Sequence, residues 1–240
     1  MKITMITGAG RGIGLSIAQK FYSENHKLIL LVRNKSQKKQ LENLFNKKIC
    51  KIFYGNLGDY NFIKKISKNI QFIDNLINNA ATRNDNNLHD VKKVDLDEII
   101  DLNFKSTFFL TQIFTKKMVK RNIKGSVINL SSQLGHFGAY NRTAYCASKF
   151  AVEGFTKAAA MDLGKYGIRI NTICPTKTIV NDDELVLTKK RLSVIKDKIP
   201  TKHFTKKEDI AELCFFLSSD ASKNITGSSI KIDGGWTAGK

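Results

Sequence analysis

Ile3-Thr4-Met5-Ile6-Thr7-Gly8-Ala9-Gly10-Arg11-Gly12-Ile13-Gly14 is the stretch that decides the fold. Ile3 to Thr7 is a short apolar run of strand length. It enters a turn with glycine at positions 8, 10, 12 and 14. From Ile13 to Tyr22 the apolar residues recur at helical spacing. Gly8 permits a tight turn. Gly12 and Gly14 let backbone approach a phosphate and let the helix approach the sheet. The helix then offers an anion its free N–H groups and the positive end of its dipole. Without that setting the glycines would mean no more than a structural turn. Between a strand and a helix they imply dinucleotide binding.

The alternation continues outward. Lys27 to Val32, Ile49 to Tyr54, Phe72 to Ile77, Ser126 to Leu130, Ile168 to Ile173 and Ser229 to Ile232 read as strands. Phe62 to Ile70, Leu96 to Arg121, Ala144 to Lys165 and Lys206 to Ser218 read as helices, with a polar helical segment around Leu41 and Leu44. The strands are apolar runs rather than alternating ones, as strands buried on both faces are. Right-handed βαβ units follow, in an α/β three-layer sandwich whose doubly wound parallel sheet has about seven strands and helices on both faces. Such sheets bind ligands at the C-terminal ends of their strands, beside the switch in strand order. The 240 residues contain only 2 Pro and no Gly/Ser run, repeat or low-complexity block, so 1–240 reads as a single domain.

The formal charge of +19 first suggests an anionic partner. Arg stands only at 11, 33, 83, 121, 142, 169 and 191, however, and the Lys residues that make up the excess are scattered. Scattered Lys is a solvated surface, and no recognition motif accompanies it, so no nucleic-acid partner is expected. Cys50, Cys146, Cys174 and Cys214 match neither zinc-site nor disulfide spacing, and they read as small reduced hydrophobes with no metal. The apolar run in Met1 to Gly10 is too short for a signal peptide, and no stretch approaches the ~20 apolar residues of a membrane helix. A cytoplasmic location without a membrane partner is the expectation.

The spacing Thr7-Gly8-xxx-Gly12-x-Gly14 resembles the short-chain dehydrogenase/reductase family, and the resemblance extends along the chain. Asn78-Asn79-Ala80-Ala81 follows the fourth strand, Asn103 sits in the long helix after it, and Ser132 follows the fifth strand. Tyr145-Cys146-Ala147-Ser148-Lys149 is similar to the family's YxASK. Ile168-Arg169-Ile170-Asn171 with Pro175, and Asp233-Gly234-Gly235-Trp236, complete the order. The resemblance implies a Rossmann-type fold and an oxidoreductase acting on CH–OH groups (EC 1.1.1.-). It also implies cofactor contacts from Gly8, Gly10, Arg11, Gly12, Ile13, Gly14, Arg33, Asn56, Leu57, Asn79, Ala80, Ala81, Tyr145, Lys149, Pro175, Thr176 and Thr178.

Nicotinamide-dinucleotide enzymes that use NAD carry an acid at the end of the second strand. Leu31-Val32-Arg33-Asn34 has none; Val32 holds that place. Arg33 and Arg11 supply two guanidinium forks suited to a 2′-phosphate, so NADP(H) is expected over NAD(H). Asn56 stands where the family often has Asp near the adenine.

Tyr145 and Lys149 are four residues apart on a helix and share one face. Free tyrosine titrates near ~10, and a nearby ammonium favours phenolate. Tyr145 then serves as general acid/base in interconverting a carbonyl and a secondary alcohol, while hydride transfer belongs to the cofactor. Ser132 is expected to polarise the substrate oxygen. By resemblance, Lys149 also holds the nicotinamide ribose and Asn103 binds a water linking Lys149 to solvent. A dinucleotide-binding regulator without catalysis is the alternative from another class.

Substrate choice is carried by fewer residues. Residues 176–205 are polar and charged and read as a lid. The family's Pro-Gly after the sixth strand is Pro175-Thr176 here, and Val180 stands where the family has a hydroxyl partner for the nicotinamide amide. Thr178 is the substitute. Gln133, Leu134, His136, Phe137, Tyr140 and Arg142 form the expected pocket wall, and Arg142 or Lys177 the expected partner of a substrate carboxylate. Overall length and pattern resemble 3-oxoacyl-(acyl-carrier-protein) reductases, so a small molecule or an acyl thioester is the substrate class. Two positions where those reductases tend to carry Arg hold Ile123 and Tyr166. The Asp233-to-Ala238 ending also resembles sugar-acid and hydroxy-acid dehydrogenases. Family habit implies a homotetramer or homodimer packed through the helices at 96–121 and 144–165.

Overall fold

The computed structural model describes residues 1–179 and 189–239. Strand β1 (Ile3–Thr7) leads to α1 (Gly12–Ser23), β2 (Lys27–Val32), α2 (Lys35–Leu44), β3 (Cys50–Tyr54), α3 (Tyr60–Lys68) and β4 (Asn75–Asn78). Then come α4 (Lys93–Ile100), a π-helical turn at Asp101–Lys105, α5 (Ser106–Lys120), β5 (Ser126–Leu130) and α6 (Thr143–Gly164). Strands β6 (Arg169–Pro175) and β7 (Thr178–Ile179), helix α7 (Lys189–Asp197), β8 (Thr205–Lys206), α8 (Lys207–Ser218) and β9 (Ser229–Ile232) complete it.

Seven strands form one parallel sheet in the order β3-β2-β1-β4-β5-β6-β9. The chain winds outward from β1 to β3, returns, and winds the other way from β4. The switch point between β1 and β4 is therefore where the loops leave a crevice. The apolar runs separate into two cores because successive side chains point to opposite faces. Leu28, Leu30 and Val32 pack with Ile17, Phe21, Cys214 and Leu217 of α1 and α8. Ile29 and Leu31 pack with Ile63, Leu110, Phe114 and Met118 of α3 and α5. The expected α/β three-layer architecture is the observed one.

Boundaries differ in three places. Strand β4 opens at Asn75, later than Phe72, although Ile73 is fully buried; that apolar run is packing rather than ladder. Strand β6 runs on to Pro175 because it pairs with β9 as far as Pro175 opposite Ile232. The helix expected over Leu96–Arg121 is broken into α4, a π-turn and α5. The short β7–β8 pair and α7 occupy part of the 176–205 segment read as a lid. Val180 and the rest of 180–188 lie outside the described residues.

Candidate active site

The glycine turn has the backbone its residues foretell. Gly8 and Gly12 have φ of +65° and +59°, in the left-handed region that favours glycine. A Cβ on Gly14 would stand 2.2 Å from the Gly8 carbonyl oxygen. Arg11 is the N-cap of α1, its side chain makes no capping bond, and the first turn holds no acid. The amides opening α1 are thus left without a side-chain acceptor, which suits an anion. Thr7 ties the turn to the exit of β4: its hydroxyl accepts from the Asn79 and Ala80 amides, both at 2.9 Å. The Asn79 side-chain amide donates back to the Thr7 and Gly8 carbonyls.

These segments line a cleft of about 300 Å³ with Leu31, Val32, Arg33, Asn56 and Leu57. Four further lining residues, Gln37, Gly55, Glu98 and Leu102, escaped sequence reasoning, two of them with polar side chains. Gln37, on α2, accepts the Arg33 backbone N–H at 3.0 Å and lies beneath Gly10, where a Cβ would meet its side chain at 2.6 Å. Glu98, on α4, stands 3.4 Å from Arg33 Nη2 in a largely exposed pair. Neither belongs to a motif; only the folding of α2 and α4 over the strand ends brings them in. Asn34, beside Arg33, caps α2 through the Gln37 amide.

Ser132, Tyr145 and Lys149 lie outside this cleft's lining, at the end of β5 and on α6. The Ser132 hydroxyl is close enough to the Tyr145 phenol to act on its proton affinity. Ser132 also caps the short turn Gln133–Gly135 through the Leu134 amide. Lys149 Nζ is 5.6 Å from the Tyr145 ring centre and donates to the Leu130 carbonyl at 2.7 Å. Burial pulls the Lys149 ammonium down to about 8, against the opposing pull of Cys174 and Glu153. Burial pushes the Tyr145 phenol up. The strongest offsets come from the Ser132 hydroxyl, Arg83 and Arg142 rather than from Lys149, the group expected from spacing to lower it.

Asn103 is buried in the π-turn, and its side chain bonds through both amide atoms. Oδ1 accepts the Thr82 amide at 2.8 Å, and Nδ2 donates to the Thr82 carbonyl and to Ser148 Oγ. Ser148 in turn donates to the Tyr145 carbonyl. Asn103 thus braces α6 beneath Tyr145, with one Oδ1 lone pair still open.

The outer residues divide. Tyr140, expected in the pocket wall, projects into solvent at 99% exposure. Arg142 is mostly covered, with Nη1 2.7 Å from Asp85 Oδ1, and Arg83 Nε lies 3.9 Å from the same oxygen. Gln133 Oε1 is buried without a hydrogen-bond partner. Pro175 ends β6. The Thr178 hydroxyl donates to the Thr176 carbonyl at 3.2 Å, whereas the buried Thr176 hydroxyl has no partner among the described residues. His136 does not face Arg142; its ring meets Glu153 and Cys174.

Comparison with known proteins covers nearly the whole chain. The family model described as enoyl-(acyl carrier protein) reductase matches residues 8–237. The 3-oxoacyl-[acyl-carrier-protein] reductase FabG of Staphylococcus aureus is 34% identical over 241 residues, covering 98% of this chain and 97% of that protein. The solved structure of a 4-hydroxyisoleucine dehydrogenase complexed with NADH matches with a TM-score of 0.92 at 31% identity, over 100% of both chains. A putative NAD(P)-dependent gluconate 5-dehydrogenase from Beutenbergia cavernae, with bound NADP at low occupancy, matches with a TM-score of 0.89 at 26% identity, over 99% of this chain and 97% of that one.

Proposed function

Because this chain belongs to the short-chain dehydrogenase/reductase family, we propose that it is an NADP(H)-dependent reductase of a carbonyl, with Tyr145 as its general acid/base. It is an oxidoreductase of CH–OH groups that uses a nicotinamide cofactor. The bound nicotinamide supplies or accepts the hydride. The residues present suit that group: Gly8 and Gly14 leave room for close approach, α1 opens without a side-chain cap, and the Thr176 hydroxyl is buried without a partner. That last observation favours Thr176 over Thr178 as the hydroxyl that meets the carboxamide.

The reading rests on Tyr145 standing 5.6 Å, ring centre to Nζ, from a buried Lys149 and within reach of the Ser132 hydroxyl. Ser132 donates toward the substrate oxygen as charge develops there, and Tyr145 passes its proton to that oxygen. Burial keeps the proton on the phenol, from which it can pass to a carbonyl oxygen. Lys149 supplies positive charge on the same helix face, and Asn103 positions α6 through Thr82 and Ser148. Arg33 and Arg11, with Val32 in the acid's place, support NADP(H) over NAD(H).

A 3-oxoacyl thioester on an acidic carrier is the leading substrate, given the relatives and the +19 surface. The Arg83–Asp85–Arg142 group favours a second reading, a sugar acid or hydroxy acid whose carboxylate would replace Asp85 between two guanidinium groups. We read 1–240 as one domain with a lid at about 176–205. Exposed Phe150, Met161 and Tyr166 on and just beyond α6 suit a homodimer or homotetramer. No helix among the described residues is long and apolar enough to cross a membrane, and a cytoplasmic location is in keeping with that.

The test is NADPH and NADH oxidation, side by side, with acetoacetyl thioesters, keto sugar acids and simple ketones. Tyr145→Phe should lower turnover by about 10²–10⁴-fold while still binding NADPH. Unchanged turnover in that variant would sink the assignment.

A further inference from the structure

Behind Lys149 lies a cluster that the proton-transfer chemistry does not use. His136 follows the Gln133–Gly135 turn, Glu153 stands one helical turn beyond Lys149 on α6, and Cys174 is near the end of β6. His136 Nε2 is 3.4 Å from Cys174 Sγ and 3.7 Å from Glu153 Oε1; Cys174 Sγ is 3.2 Å from Glu153 Oε1. One nitrogen, one sulfur and one carboxylate oxygen thus converge. Zinc bonded tetrahedrally at about 2.3 Å to sulfur and about 2.0–2.2 Å to nitrogen and oxygen sets ligand–ligand edges of about 3.3–3.6 Å. The observed triangle agrees at every edge to within a few tenths of an ångström.

The surroundings are those of a built site. Glu153 Oε2 accepts from Thr172 Oγ1 at 2.9 Å and from the Ser229 hydroxyl, which leaves Oε1 aimed at Cys174 and His136. Metal-binding carboxylates are held by such outer partners. The buried Ser131 hydroxyl makes no hydrogen bond of good geometry, and it stands beside Cys174, where it or a water could fill a fourth position. Glu153 and Cys174 are buried, whereas the His136 side chain is 25% exposed and is the side of entry. A thiolate with an imidazole selects Zn²⁺ over Mg²⁺ or Ca²⁺.

We propose that His136, Glu153 and Cys174 form a Zn²⁺ site behind Lys149, and that filling it inhibits the enzyme. On binding, the Cys174 thiol loses its proton to solvent and the S–Zn bond forms; thiolate and carboxylate then balance the ion's two charges, and nothing is oxidised or reduced. Glu153, the carboxylate one turn from Lys149, is committed to the ion, and Cys174 is bonded immediately before Pro175. The inhibitory half rests on the reading of Lys149 given above; the binding half does not.

The experiment strips the full chain with EDTA and titrates it with Co²⁺ as a spectroscopic probe, then with Zn²⁺. One Co²⁺ per chain should bind, with a thiolate-to-cobalt charge-transfer band and the visible bands of four-coordinate cobalt, and one Zn²⁺ should displace it. His136→Ala and Cys174→Ser should each lose the band, while Cys50→Ser keeps it. His136→Ala alters the partly exposed ligand, so it reports even if Cys174→Ser fails to fold. Stoichiometric Zn²⁺ should remove at least half of wild-type NADPH turnover, reversibly with EDTA, and leave His136→Ala turnover, at whatever level it stands, indifferent to the ion. Absence of a thiolate band, or its persistence in His136→Ala, overturns the site. A band without loss of turnover overturns the inhibition alone. A chain that reduces no carbonyl fails the functional reading and leaves the cobalt result standing by itself.

Discussion

Replacing Arg33 by Ala should weaken NADPH and spare NADH. The Arg33 guanidinium is 76% exposed, and its partner is Glu98 Oε1 at 3.4 Å. An ion pair so exposed contributes about 0–1 kcal/mol, whereas a hydrogen bond to a charged group contributes about 1.5–3 kcal/mol. A 2′-phosphate that takes the guanidinium over from Glu98 therefore gains about 0.5–3 kcal/mol. At about 1.4 kcal/mol per tenfold, the NADPH Kd should rise roughly 2- to 140-fold in Arg33→Ala. NADH, which has no 2′-phosphate, should change by less than about twofold, because Arg33 meets no other part of the cleft's polar network except through its backbone. Glu98→Gln frees the guanidinium and should tighten NADPH by up to about fivefold. Fold stability should stay within about 0.5 kcal/mol, as for exposed substitutions generally. Fluorescence titration of both cofactors at two salt concentrations measures all of this, and the NADPH effect should shrink as salt rises. Equal weakening of NADPH and NADH, or an unchanged NADPH Kd, would refute the reasoning.

Three further outcomes are expected. Gly14→Ala places a Cβ 2.2 Å from the Gly8 carbonyl oxygen and 2.6 Å from Asn79 Nδ2. It should cost about 1–3 kcal/mol of stability and abolish tight cofactor binding, as urea unfolding and fluorescence would report. Lys149 is held near 8 when folded, against 10.5 ordinarily, so between those values the unfolded chain binds the extra proton and stability rises with pH. Wild type should thus gain on the order of 3 kcal/mol relative to Lys149→Met between about pH 8 and pH 10.5, measured by denaturant melts; parallel pH profiles would contradict the burial of the ammonium. Arg142→Ala should raise KM for acidic substrates about tenfold or more, and an unchanged KM for every acidic substrate would remove the carboxylate reading.

The sheet was legible because its signal is local. Each strand is an apolar run, each helix has its own period, and glycine at 8, 12 and 14 marks the first turn without reference to anything distant. The π-turn at Asp101–Lys105 left no such trace, since the single residue that i+5 bonding adds shifts the apolar period by one position only, within the ordinary scatter of a helical pattern. The consequence was specific. Spacing could order Asn103 with Tyr145 and Lys149, but not foresee that its amide bonds to Thr82 and Ser148. Tyr140 and Arg142 likewise lie close in sequence, yet one is in solvent and the other is bound to Asp85 from a different loop.

The sequence by itself determined the three-layer fold, the strand that ends in the glycine turn and the face shared by Tyr145 and Lys149, because periodicity and backbone permission are properties of neighbouring residues. Only the tertiary structure decided what surrounds them. It set Glu98 against Arg33, left Thr176 rather than Thr178 with an unpartnered hydroxyl, and turned Lys149 to the Leu130 carbonyl. It also gathered His136, Glu153 and Cys174 from a turn, a helix and a strand. No spacing rule reaches such meetings, since parallel crossover connections bring together side chains whose separation along the chain carries no period.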